Sequence, residues 1–247
     1  MQPTFLPWQG YFALIAAADV FVFLDDFQFQ RHSFHQRNRL RLADGSTTWI
    51  TVPVAHSGDD FPALDRARPL IDPKWRRRVQ VTLDQSYGRA AWHGELRPAV
   101  DAWIAEEWES LAAMNTAFIR WVAGLLGFAP HWASSSGAGI GGERSERVLA
   151  LLGHFDARTY LCAQGAFDYM VDDGVFPVPD VEVVFQAFEP VPYAQRRAPE
   201  FVSHLSVLDA LFEVGPDATR DLVLAGQRNW DSWDAIAATA AATRVAP

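Results

Sequence analysis

One cysteine in 247 residues excludes an intramolecular disulfide, and no Cys-x-x-Cys pair is present. Cys162 lies in the apolar run Tyr160-Leu161-Cys162-Ala163, where a buried inert thiol is expected rather than a nucleophile. Positive charge is also short. Lys and Arg number 21 against 30 Asp and Glu, a net charge of -9, which argues against the broad basic surface that nucleic-acid binding needs. The densest basic run, Arg76-Arg77-Arg78, points in different directions on a helix and reads as a solvated face. No stretch is long and apolar enough to span a bilayer, so no membrane insertion is expected. A basic-then-apolar leader is lacking as well, because Met1 runs straight into Gln2-Pro3, and the expectation is a cytoplasmic protein.

Recognised catalytic signatures are missing too. The histidines, His32, His35, His56, His93, His131, His154 and His204, do not fall at metal-ligand spacing, so no metal site is expected from them. There is no H-E-x-x-H and no G-x-S-x-G elbow. Nothing in the sequence names a cofactor.

What is present is enough apolar material for a sizeable core: 49% of residues are hydrophobic and 21% charged. No clean linker divides the chain, and residues 1–247 read as a single domain. Ten tryptophans read mainly as core anchors, with room for one or two as a stacking platform for a base or sugar.

Pro3 and Pro7 discourage helix at the start. After a short apolar segment from Phe12 to Ala18, the run Val20-Phe21-Val22-Phe23-Leu24 predicts a buried strand. Gly45 marks a turn between Arg39–Leu42 and Thr47–Val54, a hairpin. Residues 56–60 read as an exposed loop, and 62–71 as a strand or irregular connection. Asp72-Pro73 predicts a helix start that runs to about Ser86. A second helical region follows from Trp92 to Trp121, softly interrupted at Pro98 and at 108–110, which makes residues 73–126 the helical middle of the chain. Ser134 to Gly142 is rich in serine and glycine: a flexible loop, or an anion-binding lid ahead of a helix over Glu143–Leu152. No P-loop lysine follows its glycines. Strands are expected at Arg158–Leu161 and Val181–Phe188, with helices beginning at Gln164 and spanning Ser206–Glu213. An alanine-rich peripheral tail is expected over about 220–247. The alternation predicts a mixed α/β domain with a central, largely parallel sheet.

In such folds the site lies beyond the carboxyl ends of the strands. Asp25 and Asp26 follow the first strand, with Gln28, Arg31, His35, Arg37 and Asn38 close behind. The acids are candidates for a general base or an oxygen-ligated cation, or they cap the next turn. Arg37 and Asn38 suit a carboxylate or phosphate, or are plain surface polarity. His35 and His204 are further candidate bases.

These residues carry a resemblance. Q-P-x-x-x-P-W-x-G-Y-F at Gln2–Phe12, A-D-V-F-V-F-L-D-D at Ala18–Asp26 and the pair Arg37-Asn38 resemble the WbqC-like family. The likeness continues through Trp49–Val54, Gln85-Ser86-Tyr87, Leu111 with Asn115, Glu143-Arg144, Tyr160-Leu161, Gly165 with Tyr169, Tyr193-Ala194-Gln195 and Phe201–Asp209. It implies a bacterial transferase encoded among polysaccharide and specialised-metabolite genes. From the residues and the resemblance together, Gln2, Trp8, Tyr11, Gln28, Arg31, Arg37, Asn38, Ser136, Glu143, Arg144, Tyr169 and Gln195 are candidate substrate-binding residues, with Asp25, Asp26, His35 and His204 as candidate catalytic ones. In the family a short β-forming run usually precedes Gln-Pro. Here Met1 stands there, so either it is internal to a longer chain or this member lacks that half-strand.

A comparison with H-x-G-H nucleotidyltransferases also suggests itself: a Pro-containing turn near the start, and a Ser-rich loop with an arginine further on. Trp8 and Tyr11 stand where the histidines would be, which puts adenylyl transfer in doubt. The expected function is transfer of an acyl or aminoacyl-type group onto an amine or hydroxyl of a sugar or small metabolite, with an acyl or aminoacyl carrier protein as a candidate partner. The alternative is a non-catalytic module that binds a sugar or carrier-linked intermediate.

Overall fold

Pro3 and Pro7 keep the chain out of helix until α1 (Gln9–Ala17). The computed structural model describes residues 1–55, 61–198 and 200–245, and the expected loop at 56–60 lies outside them. Every residue of α1 from Gln9 to Ile15 is buried. A helix covered on all sides has no amphipathic stripe, so its sequence shows only an apolar segment.

Then come β1 (Val20–Phe23), β2 (Arg37–Arg41) and β3 (Thr47–Thr51). β2 and β3 form the antiparallel hairpin, with Leu40 opposite Thr48. Three helices fill the middle: α2 (Pro73–Tyr87), α3 (His93–Ala105) and α4 (Leu111–Leu125). Asp72 caps α2 by accepting from Trp75 N at 2.6 Å, with Pro73 at the first helical position. Ser110 caps α4 in the same way, through Ala113 N at 3.1 Å.

β4 (His131–Ser134) runs straight into the one-turn α5 (Ser135–Ala138). The serine stretch expected to be a flexible loop is therefore the end of a strand and the start of a helix. α6 (Arg144–His154), β5 (Thr159–Ala163), α7 (Phe167–Asp173) and β6 (Glu182–Phe188) follow. α8 (Val207–Gly226) bends at Gly215, whose φ is 84°. The chain closes with β7 (Gln227–Ser232) and α9 (Trp233–Val245).

The architecture is mixed α/β with small sheets. β1 and β4 pair in parallel, Val20 opposite His131 and Phe23 opposite Ser134. β5 and β6 pair in parallel, and β7 adds to β6 in the antiparallel sense. In place of the expected central sheet, the parallel strands fall into two groups, and β1 and β5 face each other across a cleft.

Two apolar clusters organise the packing. The larger joins α1 to α4, α8 and the first three strands around Phe5, Phe12, Phe118 and Phe212, all with no exposed surface. The smaller joins α6, α7, β5 and β6 around Phe167, Met170 and Phe185. Leu161, Phe188 and Trp230 pack against the first cluster from the second sheet. The tail expected to be peripheral is structural instead. Val223 is fully buried, β7 is the third strand of a sheet, and Trp233 and Ile236 of α9 cover the smaller core. Polar residues at edge positions and small alanines against a core give little periodic signal, which is why composition alone suggested a loose end.

No helix among the described residues is long and apolar enough to cross a membrane.

Candidate functional site

Because β1 and β4 are parallel and in register, their carboxyl ends lie side by side. Asp25 and Asp26 leave the end of β1 next to the serines that leave the end of β4. The Ser135 hydroxyl shares its single hydrogen between Asp26 Oδ1, the nearer acceptor, and Asp25 Oδ1 at 3.1 Å. The Ser136 amide donates to Asp25 Oδ1 at 3.0 Å, and its hydroxyl to Oδ2 at 2.6 Å. Ser134 Oγ accepts from Gly137 N at 3.1 Å and holds the turn. Residues about 110 positions apart in sequence become one polar cluster.

α6 adds the cation. Arg147 pairs with Asp26 while its guanidinium lies 5.3 Å from the centre of the Phe27 ring. Burial alone would raise the Asp26 pKa, but hydrogen bonds from Ser135 and Arg147 and the arginine charge outweigh it. The carboxyl is held below its ordinary value and stays ionised at neutral pH. One turn earlier, Arg144 Nε lies 2.9 Å from Asp173 Oδ1, and the Ser145 hydroxyl donates to Oδ2 at 2.6 Å, which ties the start of α6 to the end of α7.

The acceptor count says what the cluster can do. Asp25 Oδ1 takes the Ser136 amide and a share of the Ser135 hydrogen, while Oδ2 takes only the Ser136 hydroxyl, leaving a lone pair on Oδ2. Ser136 is exposed and Asp25 half-buried, so a ligand amine or hydroxyl can reach that lone pair. Among the described residues no group of three or more His, Cys, Asp or Glu side chains is arranged to hold a metal ion.

Beside the cluster lies a cleft of about 1080 Å³ between β1 and β5. Leu24 and Phe27, which flank the two acids, form part of its wall, and Gln2, Gln30, Arg144 and Tyr169 supply polar groups.

The other expected residues fall elsewhere. His35 is buried, its Nδ1 accepts from Gln30 N at 3.2 Å, and its Nε2 lies 3.0 Å from Gln2 Oε1. Those partners assign the neutral tautomer with hydrogen on Nε2, and burial pushes the pKa down to about 4. Both ring nitrogens are engaged, so the ring holds Gln2 in place. Tyr11 is buried and donates to Gln2 O at 3.1 Å.

Asn38 is buried as well, donating to Phe5 O at 3.2 Å and Leu6 O at 2.8 Å. It clamps the opening turn, where Leu6 has a φ of 46°, and offers no free fork to a ligand. Arg37 stacks over Trp49, 4.5 Å from the ring centre. Gln28, Arg31 and Glu143 are exposed, and Gln28 forms a backbone bridge with Ala63. Trp8 and His204 stack on each other, and His204 Nδ1 lies 2.8 Å from Ser203 Oγ. Gln195 belongs to a buried network, donating to Asp209 Oδ2 at 2.9 Å and Val202 O at 3.0 Å.

Sequence reasoning singled out the serine run Ser134–Ser136 but carried only Ser136 forward, and it missed Arg147. Ser135, the fully buried serine, is the one that touches both acids. Arg147, rather than Arg144, reaches them. Spacing on α6 was the available signal, since positions three apart share a helix face but lie a full turn apart along it.

A mixed α/β protein with a polar cluster at the ends of parallel strands is a class shared by many unrelated functions. Here the class narrows to a family. The WbqC-like protein family matches residues 2–221, and the chain belongs to it. It is also similar to an uncharacterized protein of Mycobacterium tuberculosis (strain ATCC 25618 / H37Rv), 28% identical over 219 residues, which covers 88% of this chain and 94% of that protein. No solved structure matches it.

Proposed function

We propose that the protein is a transferase that moves an acyl or aminoacyl-type group onto an amine or hydroxyl of a sugar or small metabolite, in polysaccharide or specialised-metabolite biosynthesis. One observation carries this reading: the convergence of Asp25, Asp26, Ser135, Ser136 and Arg147 at the carboxyl ends of β1 and β4. The acceptor nitrogen or oxygen attacks the donor carbonyl carbon. The free lone pair of Asp25 takes the proton released and returns it to the leaving group, so the acyl–acceptor bond forms as the bond to the leaving group breaks. Asp26, neutralised by Arg147, keeps Ser135 oriented. The donor is an acyl or aminoacyl carrier protein or a small thioester.

With Trp8 packed on His204 and Tyr11 buried, adenylyl transfer is not part of the proposal.

A panel of acyl-coenzyme A species, acyl-carrier protein, nucleotides and nucleotide-sugars, screened by thermal shift and then by mass spectrometry with amine and sugar acceptors, tests the reading. A donor that raises Tm and yields product with the parent, but no product with Asp25→Asn while the shift persists, supports it. A shift with a bare sugar and no product from any donor would replace it with the second reading, a binding module.

A further inference from the structure

Side chains alternate along β2, so Arg37, Arg39 and Arg41 share one face of the hairpin and Asn38 and Leu40 the other. Across the ladder, Thr51, Trp49 and Thr47 stand opposite the three arginines and join the same face. Arg41 is drawn into the buried ion group with Asp209 and Glu213. Its two neighbours are not: among the described residues neither Arg37 nor Arg39 forms an ion pair. Both guanidinium groups lie instead against Trp49, 4.5 and 5.9 Å from the ring centre. The same ring packs on Phe34 with 6.1 Å between centres.

The two aromatics are costly where they stand. Trp49 keeps 45% of its surface exposed and Phe34 keeps 54%. Tryptophan beside arginine is the composition of the energetic centre of a protein interface rather than of a solvated face. Arg37 Nε is already shut off from solvent with no acceptor, so part of the desolvation that an ion pair requires has taken place in the free protein. Stacking uses the flat faces of the guanidinium groups and leaves N–H edges for carboxylates.

Charge says which partner fits. The segment before α8 lies beside β2, since Ser206 N donates to Arg39 O at 3.0 Å and the Arg39 side chain to His204 O at 3.4 Å. No acid occurs from Gln30 to Ala43, from Gly45 to Val54 or from Phe201 to Leu208, the stretches that build this face. Arg31, exposed three residues before Phe34, adds a further positive charge. At the margins Asp44 accepts from Ser46, Asp72 caps α2 and Glu189 pairs with Arg228, while Glu200 is exposed beside Phe201. In a chain of net charge -9, this face is complementary to an acidic surface. The five residues of β2 span about 17 Å, which matches one helix of a small protein and falls short of the phosphate track that nucleic-acid binding uses.

We propose that this hairpin face docks an acidic helical protein surface, that of the acyl or aminoacyl carrier protein; the identity of the occupant rests on the transferase reading. Phe34 and Trp49 form the dry centre of the contact, and Arg37 and Arg39 meet the partner's carboxylates beside them. The acid–serine cluster is within reach. Phe34 follows Asp26 by eight residues, a span of at most about 29 Å. The chain between them also folds back, with Gln30 N donating to His35 Nδ1 at 3.2 Å and Ser33 Oγ to Gln30 O at 2.6 Å. A thioester on the carrier's flexible arm is thereby presented to Asp25.

Calorimetry with a panel of phosphopantetheinylated acyl and aminoacyl carrier proteins at low ionic strength tests the surface. Trp49→Ala and Arg39→Glu are compared with the parent and with Arg220→Glu, the same charge change on α8 beside Phe128. The expected result is saturable binding that weakens at least about tenfold with either hairpin variant and less than about twofold with Arg220→Glu. If Trp49→Ala lowers Tm, Phe34→Ser at the more exposed position takes its place. Transfer assays separate the two readings: with a carrier-bound donor the hairpin variants should raise KM at least about tenfold, and with acyl-pantetheine, which has no protein to dock, they should match the parent. The same pattern of binding with no product from any donor would keep the docking surface and remove the transferase. Binding by none of the carrier proteins, equal binding by parent and hairpin variants, or occupation of the face by a short single-stranded RNA or a second copy of the chain instead would overturn the proposal.

Discussion

Ser136 binds the Asp25 carboxylate twice, through its amide at 3.0 Å and its hydroxyl at 2.6 Å, while the neighbouring Ser135 hydroxyl serves Asp25 and Asp26 together. The two serines should therefore differ. Ser136→Ala keeps the amide bond at an exposed position and should cost under about 1 kcal/mol. Ser135→Ala removes a buried donor from two carboxylates and should cost about 1–3 kcal/mol. Urea unfolding of both variants checks the order, and equal losses would place the support of the acids elsewhere.

How far the sequence foretold this arrangement depends on the kind of signal. The strand at Val20–Phe23, the hairpin and the capped start of α2 carry local signatures, and they were legible. β4 and β7 were not. His131-Trp132-Ala133-Ser134 has no alternation and is a strand only because β1 offers it an edge, and Gln227–Ser232 is a polar edge strand. For the site, the residue types after β1 drew notice to Asp25 and Asp26. That Ser135 meets them follows from the register of Phe23 with Ser134, a long-range fact that one sequence does not hold. Asn38 illustrates the converse: its side chain has the donors of a ligand fork, but burial turns them on the Phe5 and Leu6 carbonyls.

His35 makes stability depend on pH. Its folded pKa of about 4 lies below the ordinary 6.5, so between those values the unfolded chain binds more protons. Stability should thus fall as pH drops from about 6.5 to 4, by up to about 3 kcal/mol from this group. Carboxylates and the Met1 amino group also titrate near this window, so the comparison is the parent minus His35→Gln. NMR titration of the His35 ring follows the group itself. A ring that titrates near 6.5 in the folded protein would refute the assignment.

Arg41 is the largest fully buried side chain, and it pairs with Asp209 at 3.2 Å and with Glu213. Tyr193 donates to Asp209 at 2.6 Å and the Arg41 guanidinium to Arg196 O at 2.6 Å, which joins the hairpin to α8 and the chain before it. Arg41→Met strands two buried carboxylates and should cost about 3–5 kcal/mol at pH 7. Burial already raises the Glu213 pKa, and without Arg41 it rises further, so the deficit should shrink toward pH 5 as the Glu213 carboxyl takes up a proton. Adding Asp209→Leu and Glu213→Leu should recover most of the loss, since an apolar set replaces an ion group at little cost. Denaturant midpoints at pH 5 and 7 read each of these outcomes.

Gly215 lets α8 bend against α3, and two independent facts say that only glycine serves there. Its φ of 84° is one that L side chains resist, and a Cβ would lie 2.3 Å from Trp92 Cε2. Trp92 cannot simply swing aside, because its amide donates to Phe212 O at 3.0 Å and its ring packs on the main core. The backbone term is about 1–2 kcal/mol and the overpacking term about 1–3 kcal/mol, so Gly215→Ala should cost about 3 kcal/mol. Gly165→Ala is the matched control: nothing lies within 4 Å of its added Cβ, and the change should stay within about 0.5 kcal/mol. A urea midpoint that drops for Gly215→Ala alone, with an unchanged m-value, locates the penalty in the folded state. A near-neutral Gly215→Ala would mean that α8 can straighten and that its bend is not fixed by the Trp92 contact.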